Sequence, residues 1–215
     1  MTNIVSDTLE VMSHATRYNR WIYETIKPYC KGKILEIGSG KGVIGKMFQD
    51  DGYDITMTDI NGKFKYLDVE DILNPVKTRN KYDTVLMINV FEHLDYTFAA
   101  IDNIEVNFLK TGGKVVIFVP TNQRLYNKID KNLGHVSRLY ISYFDSILMD
   151  AFKIEWRYFN ALGILGWYFF GNILCRSKLG SEVGWFDRIV PLAKLIDKVF
   201  RNKIGLSLIV VGEKV

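Results

Sequence analysis

The stretch KILEIGSGKG, residues 33–42, decides the fold of this 215-residue chain. Its first half, 33–37, is a short apolar run that indicates a buried strand, and its second half is dense in glycine. Glycines at a strand-to-helix turn let the backbone approach a ligand closely, and the start of the helix offers free N–H groups. The stretch therefore predicts a nucleotide-binding turn between a strand and a helix.

Strands and helices alternate around this turn. The predicted strands lie at 33–37, 53–58, 64–67, 83–88 and 114–119, with helices at about 41–49 and 92–109. This order predicts βαβ units and a mostly parallel sheet flanked by helices, which is an α/β fold. The remaining predicted elements are a helical segment over 6–29, a helix around 142–151, and strands around 153–159 and 206–212.

The net charge of +4 is mild, but a basic excess is concentrated in one segment. Between residues 176 and 203 there are seven lysines or arginines against three aspartates or glutamates. This segment is either a solvated face or a surface attracted to acidic lipid or to a phosphorylated substrate. The charge of the whole chain does not indicate nucleic-acid binding.

Cysteine content and the N-terminus point to a reducing compartment. Cys30 and Cys175 are too few and too far apart in sequence for a disulfide framework or a cysteine metal site. The first 21 residues contain no apolar core of a signal peptide, so we expect no secretion. A cytoplasmic location is the resulting expectation.

The charge of Glu36 helps to choose among nucleotide ligands. Residues 40–45 match the dinucleotide pattern G-x-G-x-x-G, but the match begins two residues beyond the predicted end of the strand. Glu36 would also lie beside an anionic pyrophosphate, which is an unfavourable contact between like charges. S-adenosylmethionine carries a sulfonium and an ammonium group, so it tolerates a nearby acid. Charge therefore favours the methyl donor, with a nicotinamide-dependent oxidoreductase as the alternative enzyme.

The segment E-x-G-x-G-x-G at 36–42 resembles the first motif of class I S-adenosylmethionine-dependent methyltransferases, and later segments resemble further motifs in the same order. Asp59 corresponds to the acid on both ribose hydroxyls, although a dinucleotide enzyme would also place an acid there. Asp68 corresponds to the adenine-binding acid, unless it is a helix cap or a solvated acid. Asn89 begins the segment beneath the methionine moiety, and 110–114 resembles the glycine turn before the fifth strand. The resemblance implies that S-adenosylmethionine is held by Glu36, Gly38, Ser39, Gly40, Asp59, Ile60, Asp68, Val69 and Asn89.

The same resemblance implies a Rossmann-like single domain. Its sheet is expected to have seven strands in the order 3-2-1-4-5-7-6, with the last strand antiparallel. Residues 1–30 are then a helical lead-in, 33–119 the cofactor-binding half and 120–215 the acceptor half. Within the acceptor half, about 160–203 is expected to be a helical, aromatic insertion before the last strand.

Two of the three histidines are candidates for catalysis, since a hydroxyl acceptor needs a general base. His135 follows the fifth strand and is either a base or acceptor ligand, or an anchor for its loop. His93 follows Glu92 at a predicted helix start and is either a capping residue or a neighbour of the acceptor. Some quinone O-methyltransferases carry Glu-x-x-Glu-His at this point, an arrangement associated with a divalent metal. Asn89 replaces the first glutamate here, so we predict no metal site.

Residues 120–135, 158–163 and 205–209 resemble bacterial methyltransferases associated with cell-surface polysaccharide or glycolipid assembly. The resemblance implies methyl transfer to a small-molecule, sugar or glycolipid acceptor. The alternatives are a quinone-type O-methyltransferase at the membrane surface, a non-catalytic cofactor-binding protein, and a tRNA or protein methyltransferase. Residues 158–175 carry no charge and are a lid or core, an interfacial helix, or a membrane span. Peripheral contact with the inner face of the membrane through 160–203 is therefore a further expectation.

Overall fold

The computed structural model describes residues 3–59 and 81–215, which form a mixed β-sheet covered by helices on both faces. Its six strands are β1 (Ile34–Ile37), β2 (Ile55–Thr58), β3 (Tyr82–Ile88), β4 (Leu109–Pro120), β5 (Phe152–Phe159) and β6 (Ser207–Lys214). Their order is β2-β1-β3-β4-β6-β5. The first four strands are parallel to one another, whereas β6 is antiparallel to both β4 and β5.

Eight α-helices occupy the described residues. They are α1 (Asn3–Ser13), α2 (Thr16–Ile26), α3 (Val43–Asp50), α4 (Thr97–Asn103), α5 (Lys128–Leu133), α6 (Ile141–Leu148), α7 (Ala161–Tyr168) and α8 (Glu182–Val199). Short 3-10 turns cover Lys27–Tyr29, Phe91–His93 and Gln123–Leu125, and π-helical turns cover Ile104–Phe108 and Phe169–Ile173.

The central strands carry continuous apolar runs, residues 85–88 of β3 and 115–119 of β4, because helices cover both faces of the sheet. Successive side chains of β3 point to opposite sides, so Val85 and Met87 belong to one core layer and Leu86 to the other. The first layer packs against α4 and α6, and the second packs against α2, α3 and α8. This packing leaves the carboxyl ends of β1, β3 and β4 free to form a site.

The structure agrees with the expected strand order wherever it describes the chain. The antiparallel last strand lies between β4 and β5, as the seven-stranded arrangement requires. The described residues form six strands rather than seven, and the predicted strand at 64–67 lies outside them.

The segment predicted as helical over 6–29 is confirmed as two helices and a 3-10 turn, with a break at residues 14 and 15. Two other local predictions are wrong. The helix predicted over 92–109 is shorter, because α4 begins at Thr97 and passes into a π-helical turn. The turn predicted at 110–114 lies inside β4, where Gly112 at a φ of 70° and a register shift opposite Tyr82 make an irregular strand.

Residues 160–203 contain α7 and α8 and precede β6, where the helical segment was expected. Asp197 ties α8 to the end of β5, since its two carboxylate oxygens accept from the backbone N–H groups of Asn160 (2.7 Å) and Ala161 (2.8 Å). Of the helices described, none is both long and apolar enough to cross a membrane. That this segment is an addition to the common fold stays a prediction.

Candidate active site

A cavity of about 270 Å³ opens at the carboxyl ends of the parallel strands. It brings together five predicted cofactor residues and both candidate catalytic histidines, namely Glu36, Gly38, Ser39, Gly40, Asn89, His93 and His135. Helix α1 covers one side of the cavity with apolar side chains, among them Leu9 and Met12. The predicted contacts Ile60, Asp68 and Val69 lie outside the described residues.

The glycine turn after β1 is fixed by close packing and by the end of β2. Gly38 has a φ of 73°, and a Cβ on it would lie 2.3 Å from the Cγ2 of Val90. The backbone N–H of Gly40 donates to the Asp59 carboxylate over 2.7 Å, and that of Ser39 donates to the Thr58 carbonyl over 2.9 Å. Asp59, which was predicted to bind the ribose of the donor, is therefore hydrogen-bonded to the glycine turn.

Glu36 places a buried carboxylate on the cavity wall. Its Oε2 atom has no hydrogen-bond partner among the described residues. Burial, with a smaller contribution from the negative charge of Asp59, raises the pKa of Glu36 to about 7. Gly45 of α3 packs so closely that a Cβ there would lie 2.4 Å from this oxygen. The position suits a ligand that brings a positive charge or a hydrogen-bond donor.

Asn89 lies at the mouth of the cavity, directly after β3. Its backbone has a φ of 52°, a conformation that asparagine tolerates better than most residues, and its N–H donates to the Phe118 carbonyl over 2.8 Å. The side chain is exposed and lines the cavity.

A buried charged cluster forms another wall of the cavity. His135 Nδ1 lies 2.8 Å from Asp130 Oδ1, and Arg138 Nε donates to the same oxygen over 3.0 Å. The other carboxylate oxygen of Asp130 accepts from the backbone N–H of Asn127 over 3.0 Å. Because Asp130 is fully buried and held from three sides, it fixes the orientation of the His135 ring.

Glu92 and His93 complete this wall. The His93 and His135 rings stand edge to face with centroids 4.9 Å apart, and His93 Nδ1 lies 3.2 Å from the Gly134 carbonyl oxygen. Removal from solvent and the neighbouring His135 lower the pKa of His93 to about 4. Burial raises the pKa of Glu92 to about 7, against the opposing effect of His135. The cluster therefore holds several ionisable groups in a small volume beside the cavity.

Comparison with known proteins identifies the family to which the chain belongs. Residues 11–164 match a family model described as a methyltransferase domain. The chain belongs to this methyltransferase domain family. The predicted enzyme class is thereby confirmed.

Solved structures share the fold of this methyltransferase at low sequence identity. A SAM-dependent methyltransferase from Archaeoglobus fulgidus is 20% identical with a TM-score of 0.59, and the match covers 91% of this chain and 94% of that one. Phosphoethanolamine N-methyltransferase 2 from Haemonchus contortus, in complex with S-adenosyl-L-methionine, is 16% identical with a TM-score of 0.56. That match covers 92% of this chain but only 52% of the longer enzyme. No curated protein sequence matches the chain.

Sequence reasoning missed three members of the methyltransferase's charged wall. Asp130 and Arg138 were not singled out, and Glu92 was considered only as part of a motif. A signal for Asp130 was present, because Asn127 and Asp130 form a capping box for α5 and Gly134, at a φ of 82°, ends that helix. This short helix is what carries Asp130 to His135.

A second, smaller cavity adjoins the first. Its volume is about 150 Å³, and its lining is almost entirely apolar, from α7, α8 and the residues before β6. Five residues line both cavities, namely Met12, Tyr18, Trp167, Leu179 and Leu206. The site of the methyltransferase therefore has a polar part at the glycine turn and an apolar part beneath α7.

Proposed function

We propose that this methyltransferase transfers the methyl group of S-adenosylmethionine to a sugar or small polar group carried on an apolar chain, as in a glycolipid. The observation that carries the choice of donor is the buried Glu36 carboxylate on the wall of the cavity, beside the glycine turn. A cationic ligand stabilises such a carboxylate, whereas a pyrophosphate repels it.

Two further features support S-adenosylmethionine as the donor. Asp59 follows β2 at the position where an acid can accept from both hydroxyls of a ribose, and it is buried next to the glycine turn. The structurally similar Haemonchus contortus enzyme was solved in complex with S-adenosyl-L-methionine. A nicotinamide cofactor would have to bring its pyrophosphate close to Glu36.

The sulfonium makes the donor reactive, so the protein's main task is to align the acceptor. In the transfer, a bond forms between the acceptor oxygen and the methyl carbon, the bond from that carbon to sulfur breaks with its electron pair left on the sulfur of S-adenosylhomocysteine, and the hydroxyl proton passes to a general base. Alignment of this kind contributes about 7–11 kcal/mol in favourable cases. The fixed orientation of the His135 ring on the cavity wall, held by Asp130, supports a role for this residue at the acceptor.

The apolar cavity supports an acceptor with a hydrocarbon portion. It adjoins the cofactor cavity, so an acceptor whose head reaches the donor methyl group can lay an apolar chain against Phe170, Val183 and Phe186. A free sugar would leave this apolar surface uncovered. This arrangement favours a glycolipid over a soluble sugar.

The surface around α8 supports contact with an acidic lipid surface. Trp185, Leu195 and Val199 are 63%, 57% and 72% exposed. Lys198 and Arg201 flank Val199 in sequence and form no ion pair within residues 3–59 and 81–215. Exposed apolar side chains with neighbouring bases are typical of surfaces that bind anionic membranes. Such a location would bring the site to a membrane-borne acceptor.

The test is to incubate the protein with S-adenosylmethionine labelled in its methyl group and with separate lipid, glycan and RNA fractions. We expect label in the lipid fraction and its loss in the His135→Ala variant. Label confined to RNA would overturn the proposed acceptor. Binding of the donor without label in any fraction would indicate a non-catalytic cofactor-binding protein.

A further inference from the structure

We propose that Glu92, His93 and His135 bind a divalent transition-metal ion, represented by Zn²⁺, on the wall of the acceptor cavity. These side chains offer one carboxylate oxygen and two imidazole nitrogens, and the three ligand atoms all lie within 4.8 Å of one another. All three residues line the same cavity, so an ion and a further ligand can enter from it.

The hydrogen bonds of the two histidines use Nδ1 and leave Nε2 of each ring free to bind a metal ion. A carbonyl oxygen and an ionised carboxylate only accept, so Nδ1–H of His93 donates to Gly134 and Nδ1–H of His135 donates to Asp130. Each ring then presents the lone pair of Nε2. Histidines that bind metals commonly donate their other N–H to a carbonyl or a carboxylate in this way.

Glu92 provides a separate reason to expect a cation. Its side chain is fully buried, and neither carboxylate oxygen has a hydrogen-bond partner among the described residues. The one ion-pair contact of this carboxylate among the described residues is with His135, whose Nε2 lies 3.9 Å from Glu92 Oε1. Buried carboxylates without partners are costly, and an ion between this oxygen and the two rings would satisfy the charge.

The distances and donor types favour a small ion of the zinc class over magnesium. Tetrahedral coordination at zinc places neighbouring ligand atoms about 3.3 Å apart. The 3.9 Å between Glu92 Oε1 and His135 Nε2 would therefore shorten by about half an ångström on binding. Two nitrogens and one carboxylate form a common set for Zn²⁺ and Fe²⁺, whereas Mg²⁺ prefers oxygen. Three protein ligands leave a position open toward the cavity.

This ligand set differs from the Glu-x-x-Glu-His arrangement considered from the sequence. Asn89 occupies the place of the first glutamate and offers no carboxylate, while His135 arrives from the loop after α5. The role in catalysis rests on the proposed function. An ion here would lower the pKa of an acceptor hydroxyl in the open position, and His135 would act on the acceptor through it.

The test is calorimetric titration of the chelator-treated protein with ZnCl₂, without donor or acceptor, in a Cys175→Ser background that removes the exposed thiol. We expect one ion per chain. Glu92→Gln and His135→Asn should each weaken affinity at least 100-fold, and Asp130→Asn, which removes no metal ligand but weakens the hold on the His135 ring, about tenfold. MgCl₂ should bind far more weakly. Cobalt substitution should give visible absorption bands of a nitrogen- and oxygen-bound ion, which the His135→Asn variant loses.

His14→Ala is the matched control, because His14 and Glu10 form an exposed pair 3.9 Å apart that can attract zinc without being a built site. This variant should retain the stoichiometric ion. Equal affinity in the parent and the Glu92→Gln variant, or loss of binding in His14→Ala alone, would overturn the proposal. Thermal unfolding of each variant shows whether it is folded. Because no donor is present, failure of metal binding leaves methyl transfer from S-adenosylmethionine untouched.

Discussion

The two walls of the cavity are built in different ways. On the donor side, the turn after β1 depends on backbone geometry and on residues within a few positions of strand ends, such as Gly38 and Glu36. On the acceptor side, Glu92, Asp130 and Arg138 come from three separate segments and meet only in the folded chain. The donor wall is therefore specified locally, whereas the acceptor wall is a network of charges that depends on tertiary packing.

The largest expected effect is at Asp59, which is hydrogen-bonded to the glycine turn of the donor wall. Asp59→Ala should weaken binding of S-adenosylmethionine at least 100-fold, because two charge-assisted hydrogen bonds to the ribose are lost, at about 1.5–3 kcal/mol each. Calorimetric titration measures the affinity. Asp54→Ala is the matched control, since this exposed acid precedes the same strand and should have no effect. Unchanged affinity in Asp59→Ala would contradict the assignment of the donor wall.

Substitution of His135 distinguishes most clearly between an effect on donor binding and an effect on the acceptor. His135→Ala should leave donor affinity within about twofold and lower turnover about 100-fold or more, because the proposed function assigns this residue to the acceptor. Steady-state transfer and donor titration on the same preparation measure both quantities. An equal loss of affinity and turnover would mean that the residue supports the whole cavity rather than the acceptor side.

The raised pKa of Glu36 predicts a pH dependence on the donor wall. In the unliganded protein this carboxyl holds its proton up to about pH 7, whereas the unfolded chain ionises near 4.5. Its contribution to the free energy of unfolding therefore falls as pH rises through that window. A cationic donor favours the ionised form, so affinity for S-adenosylmethionine should fall about tenfold from pH 8 to pH 6. Glu36→Gln should flatten this profile, and a wild-type profile that is already flat would contradict it.

The smallest expected effect lies on the surface beside the acceptor wall. Val199→Ser should weaken binding to vesicles containing anionic lipid about threefold to tenfold, because an exposed apolar side chain is lost. Val106→Ser is the matched control, since Val106 is 57% exposed but lies in the turn after α4. Sedimentation with vesicles at low and high salt measures both variants. Equal weakening by the two substitutions would argue against a specific membrane face.

The difference between the walls explains which parts of the site could be predicted from the sequence. The glycine turn, Asp59 and Asn89 follow predicted strands directly, and parallel strands bring their carboxyl ends together. The partners of His135 could not be predicted in the same way. Asp130 lies on α5, a helix of six residues that the sequence analysis missed, and the approach of Glu92 depends on how two loops pack. The irregular part of β4 was missed because glycines usually indicate a turn.

The central claim is that the cavity binds S-adenosylmethionine, and one binding measurement tests it most directly. The wild-type protein is titrated calorimetrically with S-adenosylhomocysteine and, separately, with NAD. Binding of one S-adenosylhomocysteine per chain, with no detectable binding of NAD, is the predicted result, because this product retains the ammonium group of the donor, whereas the Glu36 carboxylate repels a pyrophosphate. Binding of NAD without binding of S-adenosylhomocysteine would contradict the account.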